Sequence, residues 1–373
     1  MNNIKKILII TLLTVINSSL IYSQEEDNVE EVVVISSKIP VPLSEVVGSV
    51  TLITQDDLEA RVVSDLGDIL ENTVGVSVPR NSQYGRYYNE GISIRGLGGS
   101  RVNIFVDGVR VSDAYAGYGR DVVEVDLLKR VEILKGPTSA LYGSDGLAGA
   151  VSYVTKDASD FTESGFHYSA RYSHFSDSDQ EKYSFLSAYV GERVEGILQF
   201  TNKNSSEMNL HDDAVQNPNP VRSEGESILG KFTFDLNDNI DITFTLDSQE
   251  WTSDIVVLTD IGSTFYPGLS TLSTTSSSVG ADEGSRERIG LRVDFKGQNN
   301  LFDNGTFNLF SQSTDQQQIT NKMVADMVFG QFGPMGPPTP GMLFRDFQFN
   351  QSVSGMALEL RKSYDNFNGR DVV

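Results

Sequence analysis

The sequence predicts a compact α/β domain followed by antiparallel β-strands of the kind that form a transmembrane barrel. Three observations predict it. Residues 40–156 mix short apolar runs with helix-capping and turn signals. Beyond about residue 160, apolar and polar residues alternate with period two over long stretches. The N-terminus carries an export signal, and no later run reaches the length of a transmembrane helix, so any membrane span must be made of strands.

In chain order, Lys5 and Lys6 form a basic patch, and Ile7–Ile16 is a mostly apolar run interrupted by Thr11 and Thr14. Asn17–Ser23 is small and polar. Residues 1–23 read as a secretory signal peptide cut after Ser23. Gln24–Glu31 is acidic. Val32, Val33, Val34 and Ile35 then form a β-branched run ahead of Pro40 and Pro42, with no hairpin partner nearby. Such a run is either a first edge strand or a segment that donates itself to another protein's sheet edge, where main-chain hydrogen bonds supply the affinity.

Val47–Thr54 reads as a strand, and Thr54-Gln-Asp-Asp57 is a capping-box pattern that opens a short helix. Ser64 can cap a second helix with Leu66, Ile69 and Leu70 on one face and Gly75 just past its end. Arg101–Val106, Asp107-Gly108 and Val109–Val111 predict a type I′ hairpin, because both central residues must adopt positive φ. Val131–Leu134 is a short strand stopped by Lys135-Gly136-Pro137. A turn punctuated by Gly143, Gly146 and Gly149 follows, and Ala150–Thr155 is the next strand. Glycines at that spacing let backbone pack on backbone, in this domain or in any tight α/β connection. Two loops, Arg80–Asn89 and Asp113–Arg120, hold Tyr84, Arg86, Tyr87, Tyr88, Tyr115 and Tyr118. Such a mixture suits either ligand recognition or packing against a neighbouring domain.

The second part alternates. Phe232, Phe234 and Leu236 interleave with Lys231, Thr233 and Asp235, and after a turn at Asn237–Asn239, Ile240, Ile242, Phe244 and Leu246 interleave with Asp241, Thr243, Thr245 and Asp247. Val194–Phe200, Ile289–Phe295 and Met356–Leu360 repeat the pattern. One apolar and one charged face fit a barrel with lipid outside and water inside, and also a soluble antiparallel sheet. Strand length, the 14 Tyr and 20 Phe, and the export signal favour the barrel. Connections also alternate. Gly191–Arg193, Asn237–Asn239 and Gly297–Asn304 are short, whereas Lys203–Glu226, Thr252–Ser285 and Asn321–Arg345 read as long loops. Gln331–Met342, with four prolines, reads as loop alone.

Composition removes several chemistries. A net charge of −22 argues against nucleic acid as a partner, since phosphate binding needs a basic face. With no cysteine there is no disulfide framework or thiol catalysis, and three histidines do not favour a multi-histidine metal site. Gly96-Leu-Gly-Gly99 lacks dinucleotide-loop spacing, and Lys135-Gly-Pro-Thr138 lacks that of a phosphate loop. Asp126, Glu132 and Asp145 read as scattered, solvated acids, and no serine–histidine–acid constellation stands out. The reading is of a protein that is not an enzyme.

The wording of Val131-Glu-Ile-Leu-Lys-Gly-Pro-Thr-Ser-Ala-Leu-Tyr-Gly-Ser-Asp-Gly-Leu-Ala-Gly-Ala-Val151, with Gly91-Ile-Ser-Ile-Arg-Gly96 and Asn103-Ile-Phe-Val-Asp-Gly-Val109, resembles the plug domain of TonB-dependent outer-membrane receptors. The resemblance covers roughly residues 30–250. It implies a signal peptide at 1–23, a periplasmic segment at 24–39, a plug at 40–158 and part of a barrel at 159–373. It implies that Val32, Val33, Val34, Ile35 and Ser36 are the TonB box that pairs with an inner-membrane energy transducer, and that the tyrosine loops face outward and touch ligand. Localisation in the outer membrane of a Gram-negative bacterium follows, with lipid around the barrel.

Plugged barrels use about 22 strands, which at roughly 20 to 25 residues each needs about 450 to 550 residues. About eight strands fit after residue 160, so the chain reads as the first half of a receptor. Asn217–Lys231 and Ser139–Leu147 are most similar to the haem and haemoglobin receptor branch. That implies haem as a transported ligand rather than a resident cofactor, with a ferric siderophore as the alternative. Haem iron takes His or Tyr ligands among others. The plug has no histidine, which leaves Tyr84, Tyr87, Tyr88, Tyr115 or, in a long loop, His211. A passive pore and a secreted binding protein are the rival classes.

Overall fold

A computed structural model describes residues 32–33, 41–42, 48–61, 63, 66–78, 92–111, 123–143, 145–209, 219–297, 301–362, 364–365 and 371–372. The chain opens on a small antiparallel pair, β1 (Val32–Val33) with β2 (Val41–Pro42), in which Val33 faces Val41. The β-branched run does therefore have a partner within its own chain, contrary to the expectation from sequence. The two prolines did not prevent it, because proline is tolerated at the edge of a strand pair.

The α/β domain follows. β3 (Ser49–Ile53) leads into helix α1 (Gln55–Ala60), capped as its sequence predicts. Asp57 N–H donates to Thr54 Oγ1 at 3.3 Å and Thr54 N–H donates to Asp57 Oδ2 at 3.1 Å. Helix α2 (Leu66–Glu71) buries Ile69 and Leu70, and Gly75 lies beyond it at φ +79. Ser64, its expected cap, lies outside the described residues. A short pair, β4 (Val76–Ser77) and β5 (Ser93–Ile94), precedes β6 (Val102–Val106) and β7 (Val109–Arg110). Between β6 and β7, Asp107 and Gly108 have φ +46 and +78, the doubly positive geometry of a type I′ turn. β8 (Leu128–Lys135), the one-turn helix α3 (Ser139–Tyr142) and β9 (Gly149–Thr155) complete the domain.

The resulting five-stranded sheet has the order β3-β8-β9-β6-β7, with β6 and β9 parallel and the other neighbours antiparallel. Its core gathers Ile53, Ile69, Leu70, Ile94, Val106, Val131, Ile133, Val151 and Tyr153. The glycine-rich connection is explained by two close approaches. A Cβ on Gly146 would sit 2.1 Å from Thr138 Oγ1, and one on Gly149, whose φ is +155, would sit 2.2 Å from the Leu134 carbonyl oxygen.

The second part is one antiparallel sheet. Its long strands are β10 (Gly165–Phe175), β11 (Gln180–Val190), β12 (Val194–Ser206), β13 (Val221–Asn237) and β14 (Ile240–Val256). A short β15 (Gly262–Tyr266) precedes β16 (Thr271–Lys296) and β17 (Asn304–Gly330), and the short β18 (Gly333–Pro334) precedes β19 (Thr339–Arg361). The last pair is β20 (Tyr364–Asp365) with β21 (Asp371–Val372). Each long strand pairs with its sequence neighbour. The alternation sorts faces as the sequence reading requires for Leu198 and Phe232, 51% and 43% exposed, and for Lys182 and Asp247, 2% and 0% exposed, although Ile197 adds an apolar residue to the covered face. No helix among the described residues is long and apolar enough to cross a membrane.

Two expected loops are largely strand. β14 and β16 continue into 252–285, and β17 and β19 into 321–345. Within the segment read as loop alone, Gly333–Pro334 pairs with Phe329–Gly330, and Pro340, Gly341 and Met342 pair with Ala325, Val324 and Met323. The prolines there sit at the rim of a long hairpin, where cross-strand pairing outweighs local breaker signals.

Candidate functional site

The sheet packs against the α/β domain through ion pairs, beside a small apolar cluster of Ala158, Leu186, Ala188 and Ile197. Strand periodicity places Lys182 on β11, Lys203 on β12, Lys231 on β13 and both Arg286 and Arg288 on β16 on the face opposite the apolar one. The α/β domain meets them with acids at three turns: Asp107 in the type I′ turn, Glu124 and Asp126 at the 3₁₀ turn before β8, and Asp157 just after β9.

Around Glu124, Lys203 Nζ donates at 2.7 Å and Lys182 Nζ at 3.5 Å, and Lys182 also donates to Asp126 Oδ1 at 3.0 Å. Gln249 accepts from the Glu124 N–H at 3.0 Å, and Gln199 donates to the Asp126 carbonyl at 2.9 Å. Burial alone would raise the Glu124 pKa, but the charges of Lys203 and Lys182 outweigh it and hold the carboxyl down at about 2.

The second cluster centres on Asp107. Its carboxylate accepts from Thr155 N–H at 2.9 Å, from Thr155 Oγ1 at 2.7 Å and from Arg288 Nη2 at 2.6 Å. Arg288 Nη1 donates to the Val106 carbonyl at 2.7 Å. Arg288 and Arg286 also share Asp247 on β14, at 3.3 Å and 2.8 Å. Lys231 Nζ donates to the Thr155 carbonyl at 3.1 Å and to Asp157 Oδ1 at 2.8 Å, and Lys129 pairs with the same Asp157. Burial pushes the Asp107 carboxyl up, but Lys231, Arg288 and the Thr155 N–H together hold it well below the ordinary carboxylate range. Asp157 is lowered by Lys231 and Lys129, again against its burial.

Buried ion pairs of this kind add little net stability, but breaking one strands a charge away from water. The arrangement therefore works as a register, fixing where the domain sits against the wall. Chemically it can hold a domain in place.

Among residues expected from sequence, Val32 and Val33 form β1, while Val34, Ile35 and Ser36 lie outside the described residues. So do Tyr84, Arg86, Tyr87, Tyr88, Tyr115, Tyr118 and His211, together with the signal peptide at 1–23. Asp126 and Glu132 are not solvated as expected: both are buried, because Asp126 meets Lys182 and Glu132 meets Arg130. Asp145 is exposed and pairs with Arg110. The sequence reading missed the interface. Its signal was present in lysines and arginines at the inward positions of alternating strands.

Residues 42–150 match the family model described as TonB-dependent Receptor Plug Domain. The chain is similar to the vitamin B12 transporter BtuB of Vibrio vulnificus, 35% identical over 137 residues, which cover 37% of this chain and 22% of that protein. Among solved structures it is similar to the FpvAI–pyocin S2 complex at TM-score 0.53 and 15% identity, covering 88% of this chain and 50% of that one. It is also similar to the FrpB iron transporter of Neisseria meningitidis at TM-score 0.51 and 14% identity, covering 83% and 60%. The chain thus spans about a fifth of the curated relative and half to three-fifths of the structural ones. Homologues with this domain are β-barrel proteins of the Gram-negative outer membrane and not enzymes. Residues 42–150 are a TonB-dependent receptor plug domain, and the antiparallel sheet that follows has the fold of the barrel receptors that contain it.

Proposed function

We propose that this chain is part of an outer-membrane receptor for energy-coupled uptake of an iron-bearing ligand, with haem or haemoglobin-derived haem as the first candidate and a ferric siderophore as the second. The observation that carries this reading is a plug domain seated by ion pairs against the polar face of a sheet whose opposite face is apolar. We divide the chain into a signal peptide at 1–23, a periplasmic segment at 24–39, the plug at 40–158 and barrel strands at 159–373. Ligand settles on outward loops carrying Tyr84, Arg86, Tyr87, Tyr88, Tyr115 and Tyr118, with His211 a weak candidate for haem iron. The segment from Val32 to Ser36 adds as a strand to the TonB-type transducer, and pulling on it displaces the plug.

For the ligand, haem is supported by the tyrosine-rich loops and by the similarity of Asn217–Lys231 to the haem branch. A corrinoid is a further reading, favoured by the 35% identity with a vitamin B12 transporter. The test is uptake by cells of haemin, a ferric siderophore and cyanocobalamin, each with and without a protonophore. Protonophore-sensitive haemin uptake is expected. Val33→Pro removes a ladder donor and should abolish uptake while leaving ligand binding intact. Equal loss of binding in that variant would reject the TonB-box assignment.

A further inference from the structure

We infer that the outer face of the long β17–β19 hairpin is a docking surface for a second copy of this chain. Only the placement of these strands in the outer membrane enters into it; the ligand does not. The outward face of the hairpin carries two apolar zones. In the lower zone Phe307 and Leu309 face Leu358 and Met356. Above it comes a polar belt, in which Ser311, Ser313, Asp315 and Gln317 face Ser354, Ser352, Asn350 and Gln348. The pairing runs on without a bulge, so Met323, opposite Met342, and Phe344, opposite Asn321, return to the same outward face. Phe329 shares that face, and its ring meets Phe265 of β15 at 6.1 Å between centroids. Met342 and Phe344 are 71% and 59% exposed.

Lipid does not cover the upper zone. From Leu309 to Met323 the strand climbs about 36 Å, at roughly 3.4 Å per residue and a tilt of about 40°, whereas the apolar band of a barrel is about 25 Å tall. With Leu309 in lipid, Met323 stands clear of it. Barrel closure does not cover the zone either, because further strands add at the edges of a sheet and leave its outer face open. Methionine and phenylalanine gathered on an exposed surface make an adaptable contact. Height selects the occupant. The patch looks sideways, along the membrane plane, at a fixed distance above it. A second copy in the same membrane presents the same patch at the same height, and a half-turn about the membrane normal brings the two face to face. Phe265, Met323, Met327, Phe329, Met342 and Phe344 together offer roughly 600 Å², taking about 200 Å² for each whole side chain. Phe332 and Met335, exposed at the hairpin tip, add to it. A standard interface buries about 800 Å² per partner. Asp254 and Asp346 occupy the row just beneath the patch, with Glu250, Glu283 and Asp315 lower on the same face. Across the two-fold these acids repel, so the contact is made by the apolar side chains and tightens when salt screens the charges.

The chain has no cysteine, so single introduced cysteines report contacts without background. The test places Met342→Cys in the full chain, expressed in cells, and oxidises the cell surface with copper phenanthroline. Asp177→Cys, on the low turn between β10 and β11, is the control. The expected result is a disulfide-linked species of twice the chain's mass from Met342→Cys and none from Asp177→Cys. Adding Phe344→Asp should cut the cross-linking about tenfold, as loss of a central anchor does. The uncharged Phe344→Ser should act in the same direction, and it carries the comparison if the aspartate variant fails to fold as judged by heat-modifiable gel mobility. In detergent, raising sodium chloride should increase the dimer fraction of the unmodified chain. A monomer throughout, equal cross-linking at both positions, a cross-link to a protein of different mass, indifference to both Phe344 variants, or a dimer that dissociates as salt rises overturns the inference.

Discussion

Arg288 holds Asp107 with two contacts, one to its carboxylate at 2.6 Å and one, through the other terminal nitrogen, to the carbonyl of the preceding Val106 at 2.7 Å. The wall therefore grips both a side chain and the backbone of a single plug turn. That turn is also tied to the end of β9 through Thr155. One guanidinium thus fixes two strands of the plug sheet against the wall.

Removing this grip should loosen the plug without unfolding the sheet. Arg288→Met leaves the half-buried Asp107 without the guanidinium that grips it, and the cost stays below the about 3 to 5 kcal/mol of stranding a fully buried charge. The expected outcome is faster hydrogen exchange across β6, β7 and β9, with little change across β12 and β13. Exchange read by mass spectrometry checks it. Asp107→Asn with Arg288→Met should recover part of the loss, because the orphaned charge is then gone.

Plug seating should depend on acid. The Glu124 carboxyl is pulled from 4.5 down to about 2 by Lys203 and Lys182, and Asp107 and Asp157 are lowered in the same sense. A depressed carboxylate contributes stability that is full above its unfolded value and is lost as pH falls toward the folded one. Resistance of the plug to urea should hold from pH 7 to about pH 5 and fall between about 4.5 and 2. Glu124→Gln should start lower and respond less over that window. Urea titrations at a series of pH values decide it, and a flat profile for the unmodified protein would contradict the role of these pairs.

The glycine-rich connection should tolerate no side chain at its tightest points. Gly149→Ala places a Cβ 2.2 Å from the Leu134 carbonyl oxygen at a φ of +155. Backbone cannot give way as a flexible side chain does, so the cost should be about 2 kcal/mol or more. Gly136→Ala, also at positive φ but with nothing within 4 Å, should cost less. Protease sensitivity of the plug in the two variants ranks them.

The apolar face should report its surroundings. Leu246 points away from the plug on β14, and arginine on a lipid-facing position near the bilayer midplane costs about 2 to 4 kcal/mol. Leu246→Arg should lower folding yield into lipid vesicles, whereas Thr245→Ser, one residue along and on the opposite face, should leave it unchanged. Equal yields for the two variants would argue against lipid on that face.

Much of this architecture was legible in the chain because its signals are local. The Thr54–Asp57 capping box, the Asp107-Gly108 turn and the alternation from Lys231 to Leu246 each depend on neighbours in sequence, and each appears where the residues place it. What was not legible is cooperative. The strands running through 252–285 and 321–345 persist because each borrows hydrogen bonds from the next, which overrides serine, glycine and proline. The burial of Asp126 could not be seen locally either, since its partner Lys182 lies 56 residues away. Partners so distant in sequence are fixed only by how the sheet wraps the plug.

Strand length carries one more implication. β10 has 11 residues and β17 has 27. At roughly 3.4 Å per residue and a tilt of about 40°, the first climbs about 28 Å and the second about 70 Å. An apolar band is about 25 Å tall, so β10 barely clears it while the β16–β17–β19 side stands some 40 Å proud of it, roughly speaking. The rim is lopsided, a parapet on one flank and a low sill on the other.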